Sequence, residues 1–254
     1  MKLFLIQPTL RAHDSQFNLE EIEALIASRK DEITCEDIIL LPERFTFEHE
    51  VASYRDFLKR LVKISRCTIV GGSQHGLMDG TLVNTGIIVD GSGNELGSYS
   101  KLRPYFNEKD HVSPAELIGE FSISDKSILV LICADFWYSD ILLRVTKLPD
   151  IILVPALSVS RKSDPEYSRS LWRHLAISRA YEFGAFVGIS DWSADSVLPK
   201  YRTCGVGGLA DPTQLDPAKF FQKISTDGVS IFNLDFDALE AFRADRRMRG
   251  FFWK

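Results

Sequence analysis

Cysteine is scarce and poorly placed for cross-linking: the 254-residue chain holds four, Cys35, Cys67, Cys133 and Cys204, without a CxxC pair. That spacing argues against both a disulfide framework and a zinc site, so free thiols are expected. The five histidines, His13, His49, His75, His111 and His174, are equally dispersed. A metal-dependent phosphodiesterase, which needs gathered Asp, His and Asn ligands, is therefore disfavoured, and no metal site is expected. Long apolar runs are missing too, since no window approaches the roughly 18 residues of a membrane span. The opening MKLFLIQPT reaches Gln7 and Pro8 too soon for a signal-peptide core. Nor is positive charge concentrated: 30 Lys plus Arg against 35 Asp plus Glu give a net charge of -5, with no basic stripe before RADRRMRG near the end. Nucleic acid and membrane are thus not expected as partners, and a cytoplasmic location is. Repeats, low-complexity segments and linkers are also lacking, which leaves one domain over residues 1–254.

What is present is an ordinary globular composition, 45% apolar and 26% charged, with 17 Phe to fill an interior. KLFLIQ, EDIILLPE and CTIVGGSQ read as strands separated by the amphipathic helices NLEEIEALIASRKDEI and EVASYRDFLKRLVKIS. LVNTGIIVD and ELGSYSKL, joined by GSGN, form a hairpin, and KSILVLICAD is a buried strand. SDILLRVTKL is a short helix and DIILVPAL a strand. PEYSRSLWRHLAISRAYEFG is a long helix with Leu171, Trp172, Leu175 and Ala176 on one face. AFVGISDW, TCGVGGLADP, FFQKIS and GVSIFNLD add strands, and FDALEAFRADRR closes with a helix. Strands alternating with helices, with hairpins interspersed, give an α/β fold of mixed sheets covered by helices.

Functional groups in such folds collect just past the carboxyl ends of strands. Glu43 follows DIILLP, Lys101 follows NELGSYS, and Cys133 ends SILVLI. Singly, each has an ordinary explanation, since a free Cys is usually packed and Glu or Lys after a strand is usually solvated. Together they match a chemical need. A thiol requires a base to become nucleophilic, and the tetrahedral oxyanion requires a cation or N–H donors, which Lys101 and the Ala134 N–H supply.

The motifs then resemble those of the nitrilase superfamily, the carbon-nitrogen hydrolases, whose catalytic set is a Glu, a Lys and a Cys in that order. LPERF is similar to the family's Pro-Glu motif, GSYSKLRPY to its Tyr-x-Lys motif, and ILVLICAD to its apolar run ending in Cys-x-Asp. QPTLRAHDSQFNLEEI, VGGSQ, VNTGIIVDGSGNELG, LWRHLAISRAYEFGAFV and GVGGLADP resemble further family segments, from Lys2 nearly to the end. The resemblance implies a four-layer αββα sandwich that dimerises through helices near the Cys, here SDILLRVTKL and PEYSRSLWRHLAISRAYEFG. It also implies a second glutamate between the Lys and the Cys; Glu108 stands where it belongs, although Glu116 and Glu120 share the interval. Two departures, Phe136-Trp137-Tyr138 after the Asp and Phe183 after Arg-Ala-Tyr-Glu, set the pocket apart from the best-known subfamilies.

The implied activity is hydrolysis of a small linear amide through a Cys133 thioester, with Glu43 as base and no cofactor. Nitrile or N-carbamoyl hydrolysis, and a silent binding protein on the same fold, are the alternatives. Phe45, Tyr105 and Trp137 are candidates to line the substrate pocket, and Arg161 and Lys162 to meet a substrate carboxylate. The apolar tail RGFFWK is expected to pack on the body or on a partner subunit.

Overall fold

The computed structural model describes residues 1–47 and 51–251. In chain order the first half contains β1 (Lys2–Ile6), α1 (Ser15–Ser28), β2 (Ile38–Leu40), α2 (Val51–Ser65), β3 (Thr68–Val70), β4 (Gln74–Met78), β5 (Thr81–Val89) and β6 (Glu95–Ser100). The second half contains β7 (Gly119–Ile123), β8 (Lys126–Val130), α3 (Ser139–Leu142), β9 (Ile151–Pro155), β10 (Val159–Ser160), α4 (Glu166–Phe183), β11 (Phe186–Ser190), β12 (Arg202–Thr203), β13 (Gly208–Ala210), β14 (Phe221–Lys223), β15 (Val229–Asn233) and α5 (Phe236–Met248).

Two mixed sheets result. One runs β15-β1-β2-β3-β5-β4, with β6 on β5; the other runs β14-β13-β11-β9-β8-β7. The parallel pairs β1–β2, β2–β3, β8–β9 and β9–β11 form the middle of each sheet, and antiparallel pairs finish the edges. Side-chain alternation explains how the sheets stack. Leu3, Leu5, Ile38 and Leu40 enter a cluster with residues of β8, β9 and β11, whereas Phe4, Ile6, Ile39 and Leu41 join Ile22, Ile26, Tyr54 and Leu58 of α1 and α2. Trp172, Ala176 and Ala180 of α4 and Leu239 of α5 join the first cluster from the far side. The order is therefore helices, sheet, sheet, helices: the αββα sandwich.

Several local expectations need correction. SDILLRVTKL yields only one helical turn, α3. The buried face of α4 is Trp172, Ala176, Ala180 and Phe183, and Leu171 is exposed, because the face that meets the sheet recurs every three or four residues starting from Trp172. CTIVGGSQ is interrupted: β3 ends at Val70 and β4 begins at Gln74, both lying along one edge of β5. Val70 faces Ile88 but Gln74 faces Thr85, so one extra residue is inserted at Gly71–Gly72. Gly72 takes φ +68, and a Cβ there would lie 2.0 Å from the Pro42 carbonyl oxygen. Gly72→Ala should therefore lower stability by roughly 3 kcal/mol, read from urea unfolding, and disturb the segment that carries Glu43. Phe251 of the tail is 69% exposed, and Phe252, Trp253 and Lys254, like His49, lie outside the described residues. Among the described residues no helix is long and apolar enough to cross a membrane.

Candidate active site

Three strand ends converge. Glu43 follows β2 and forms an isolated bridge with Ser73, just past the glycine bulge. Its backbone is held on several sides: its N–H donates to Ala156 O at 3.1 Å, its carbonyl accepts Trp192 Nε1–H at 2.7 Å, and the Arg44 N–H donates to Ser73 O at 2.6 Å. Lys101 follows β6 directly, and its N–H donates to Asn84 O at 2.8 Å. Cys133 opens a 3-10 turn, Cys133–Trp137, that begins three residues past β8. Its φ is +49, a left-handed conformation that a non-glycine residue holds only against strain.

Asp135 locks this turn to the segment after Lys101. Its two carboxylate oxygens accept the N–H groups of Leu102 at 2.9 Å and Arg103 at 2.8 Å. Burial pushes its pKa up to about 6, the two N–H donors opposing, so at neutral pH it remains an acceptor. Its place is thus that of an anchor between two strand ends.

The side chains form one connected polar cluster in an otherwise apolar interior. Lys101 Nζ donates to Glu43 Oε1 and to Glu108 Oε2, each at 2.7 Å. Asn84 Nδ2 donates to Glu43 Oε1 at 2.8 Å and to Glu108 Oε1 at 2.9 Å, which ties the two carboxylates together behind the lysine. Glu108 also accepts from Tyr105 N at 3.1 Å and from His75 Nε2 at 3.0 Å. Burial would raise the Glu108 carboxyl, yet the His75 hydrogen bond and the Lys101 charge more than offset it and hold it well below the usual carboxylate range. Burial lowers His75, so the ring is neutral at pH 7 and its Nε2–H is the donor. For Lys101, burial works downward, but Glu43, Cys133 and Glu108 together hold it above the ordinary lysine range.

Leu157, just past β9, serves both remaining groups. Its N–H donates to Glu43 Oε2 at 3.1 Å, and its carbonyl accepts the Cys133 thiol at 3.8 Å. Burial pushes that thiol well above its ordinary range; the Glu43 charge adds to the shift and Lys101 opposes it. The thiol is thus protonated at rest, beside a carboxylate.

Glu43, Lys101, Glu108 and Cys133 open into a cavity of about 700 Å³. Tyr105 lines it, as do Arg161 and Lys162. Two expected lining residues do not. Phe45 is fully buried in the helix-facing layer, 5.7 Å from the Phe57 ring, because the chain turns at Arg44, φ +54, and sends the next side chain to the opposite face. Trp137 sits edge-on to Trp172 at 5.4 Å, away from the cavity lining. Ala134, next to Cys133 in the same turn, is buried. Of the other acids weighed, Glu120 binds the Thr146 N–H at 2.8 Å, outside the site. Asn84, His75 and the Leu157 backbone were not anticipated. The family-like VNTG segment contained Asn84, but nothing in the sequence says that two carboxylates share its amide. Among the described residues no three His, Cys, Asp or Glu side chains gather as metal ligands.

The architecture is that of the nitrilase superfamily. The carbon-nitrogen hydrolase family model matches residues 3–194, and the chain belongs to that family. Among solved structures it is similar to Saccharomyces cerevisiae Nit3, a member of branch 10 of the nitrilase superfamily, at 21% identity and a TM-score of 0.79, covering 96% of this chain and 93% of that one. It is also similar to an amidase from Nesterenkonia sp. at 21% identity and a TM-score of 0.77, covering 98% and 96%. A form of the Nesterenkonia sp. AN1 amidase carrying acrylamide added at its active-site cysteine matches at 20% identity and a TM-score of 0.77, covering 98% and 99%. A comparison with curated proteins finds no match.

Proposed function

We propose that the chain hydrolyses a small linear amide to an acid and ammonia or an amine, with Cys133 as nucleophile. The observation that carries this reading is the shared Leu157 backbone, whose N–H bonds Glu43 and whose carbonyl takes the Cys133 thiol, at the base of an open cavity. Glu43 takes the thiol proton as sulfur attacks the carbonyl carbon, and Lys101 Nζ and the Ala134 N–H are the donors for the oxyanion. The proton then passes from Glu43 to the departing amine, leaving a thioester. Water, deprotonated by Glu43, attacks that thioester; the thiol recovers a proton and the acid leaves.

Glu108 acts by holding Lys101. An ionised Glu108, anchored by His75, Asn84 and the Tyr105 N–H, fixes the ammonium between itself and Glu43. The Nesterenkonia sp. AN1 amidase with acrylamide on its active-site cysteine, and its form in complex with butyramide, support small amides as the substrate class. The test is an ammonia-release assay over short aliphatic amides, combined with mass spectrometry of the quenched enzyme. Release of ammonia with an acyl mass added on Cys133 is expected. Turnover with no adduct on that residue, or no turnover across the series, overturns the reading.

A further inference from the structure

Asp191 is a fully buried carboxylate that stands outside the cluster of Glu43, Lys101, Glu108 and Cys133 and does not line the cavity. It follows β11 directly, between Ser190 and Trp192, and both neighbours hold the backbone around the base. Ser190 O accepts the Ala156 N–H at 2.8 Å, Ser190 Oγ donates to Leu40 O at 2.8 Å, and Trp192 Nε1 donates to Glu43 O at 2.7 Å. The end of β11 is thus a clamp on the segments that carry Glu43 and Leu157. Asp191 extends that clamp one peptide further. Its Oδ1 accepts the Ser158 N–H at 2.8 Å, and its Oδ2 accepts the Ser158 hydroxyl and, at 2.8 Å, the Val206 N–H. Burial pushes its pKa up to about 6, those donors opposing, so at neutral pH it is ionised and only accepts.

The Ser158 N–H and the Leu157 carbonyl belong to one peptide unit. That unit is trans, so the two groups point in opposite directions from one rigid plane. On one side the carbonyl accepts the Cys133 thiol at 3.8 Å; on the other the N–H meets Asp191 Oδ1 at 2.8 Å. The contact to sulfur is long and weak, whereas the bond to the carboxylate is short and charge-assisted, so Asp191 sets the tilt of the plane. Donation to an anion also polarises the peptide and makes Leu157 O a better acceptor for the thiol. The direction of the reactive sulfur is therefore fixed from behind, by a charge on the far side of the peptide.

Resting on the amidase reading above for its chemistry, we propose that Asp191 is a positioning residue: by holding the Leu157–Ser158 peptide it aims the Cys133 thiol for transfer of its proton to Glu43. It acts without touching the substrate. Asp135 fixes the turn that carries Cys133, and Asp191 fixes the acceptor that the thiol faces.

Two measurements test this, one of them independent of turnover. Asp191→Ala should lower kcat roughly 10²-fold, the loss expected when reacting groups are misplaced by about 1 Å, and leave KM within about twofold, since no ligand contact is removed. Asp191→Asn should recover part of the kcat, because its amide oxygen still accepts one N–H. Difference infrared spectra between each protein and its Cys133→Ala counterpart isolate the Cys133 S–H stretch, since Cys35, Cys67 and Cys204 cancel. A thiol that donates a hydrogen bond absorbs at lower frequency than a free one. The band should rise in Asp191→Ala, rise less in Asp191→Asn, and stay in place in Ser158→Ala, which deletes the hydroxyl bond and keeps that of the peptide. If Asp191→Ala does not fold, Asp191→Asn decides. An unmoved band in the variant that folds overturns the proposal, as does a lowered melting temperature with kcat per folded molecule unchanged. A chain that turns over no amide but shows the band shift refutes the amidase reading alone; one that releases ammonia with an unmoved band refutes this inference alone.

Discussion

Lys101→Ala is expected to lower stability by roughly 3–5 kcal/mol, because it strands two buried carboxylates that now share one ammonium. Glu43 and Glu108 both contact Nζ at 2.7 Å, and both are buried. Without the lysine they face each other through the Asn84 amide alone. At this chain length that loss corresponds to a fall in melting temperature of about 10 °C. Activity should vanish as well, but the melt is the discriminating measurement. Combining Lys101→Met with Glu108→Gln removes one charge of each sign and should recover much of the lost stability without recovering turnover. A Lys101→Ala protein that melts with the wild type would show that the carboxylates protonate at little cost, and that the cluster is less tightly coupled than its geometry indicates. A stable but inactive double variant would separate the structural role of the lysine from its chemical one.

The same cluster shows what a sequence discloses about such a site. Glu43 and Cys133 stood out as candidates because each is a reactive side chain placed where a buried apolar run stops, and apolar runs are the strongest local signal a chain carries; Lys101 follows the mostly polar strand ELGSYS and stood out only beside the other two. Mixed sheets covered by helices were legible in the order of strands and helices, whereas the four-layer sandwich came from the family resemblance; its physical basis is visible in the structure, where the alternation in β1 sends Leu3 and Leu5 to one layer and Phe4 and Ile6 to the other. The groups that hold the cluster together were not legible. Asn84 reaches across to two acids far away in sequence, and Leu157 contributes only backbone atoms, which every residue possesses. Phe45 shows the opposite failure. Nearness to Glu43 in sequence pointed to the pocket, but the left-handed turn at Arg44 puts that ring among Tyr54 and Phe57. The bulge at Gly71–Gly72 was hidden for the reason bulges usually are, since a run of strand-forming residues does not reveal a one-residue slip against its partner.

Cys133→Ala should lose at least about 10⁴-fold in kcat, as expected when the nucleophile itself is deleted. Its melting curve should stay close to that of the wild type. The contrast with Lys101 follows from the contacts. The thiol's hydrogen bond is a long one to Leu157 O, and alanine accepts φ +49 no worse than cysteine does, so removal strands no charge and relaxes no strain. The native thiol should also show a distinctive pH dependence. Burial and the neighbouring Glu43 charge favour the protonated form, so its folded-state pKa lies above the ordinary thiol range near 8.5. Alkylation by iodoacetamide should therefore climb continuously past pH 9 without a plateau near neutrality. A plateau between about pH 6 and 7 would mean a preformed thiolate, with Lys101 outweighing Glu43 at the sulfur. The base would then act on water in the second half-reaction alone, and the proton that Glu43 is proposed to take from Cys133 would already be gone before substrate arrives.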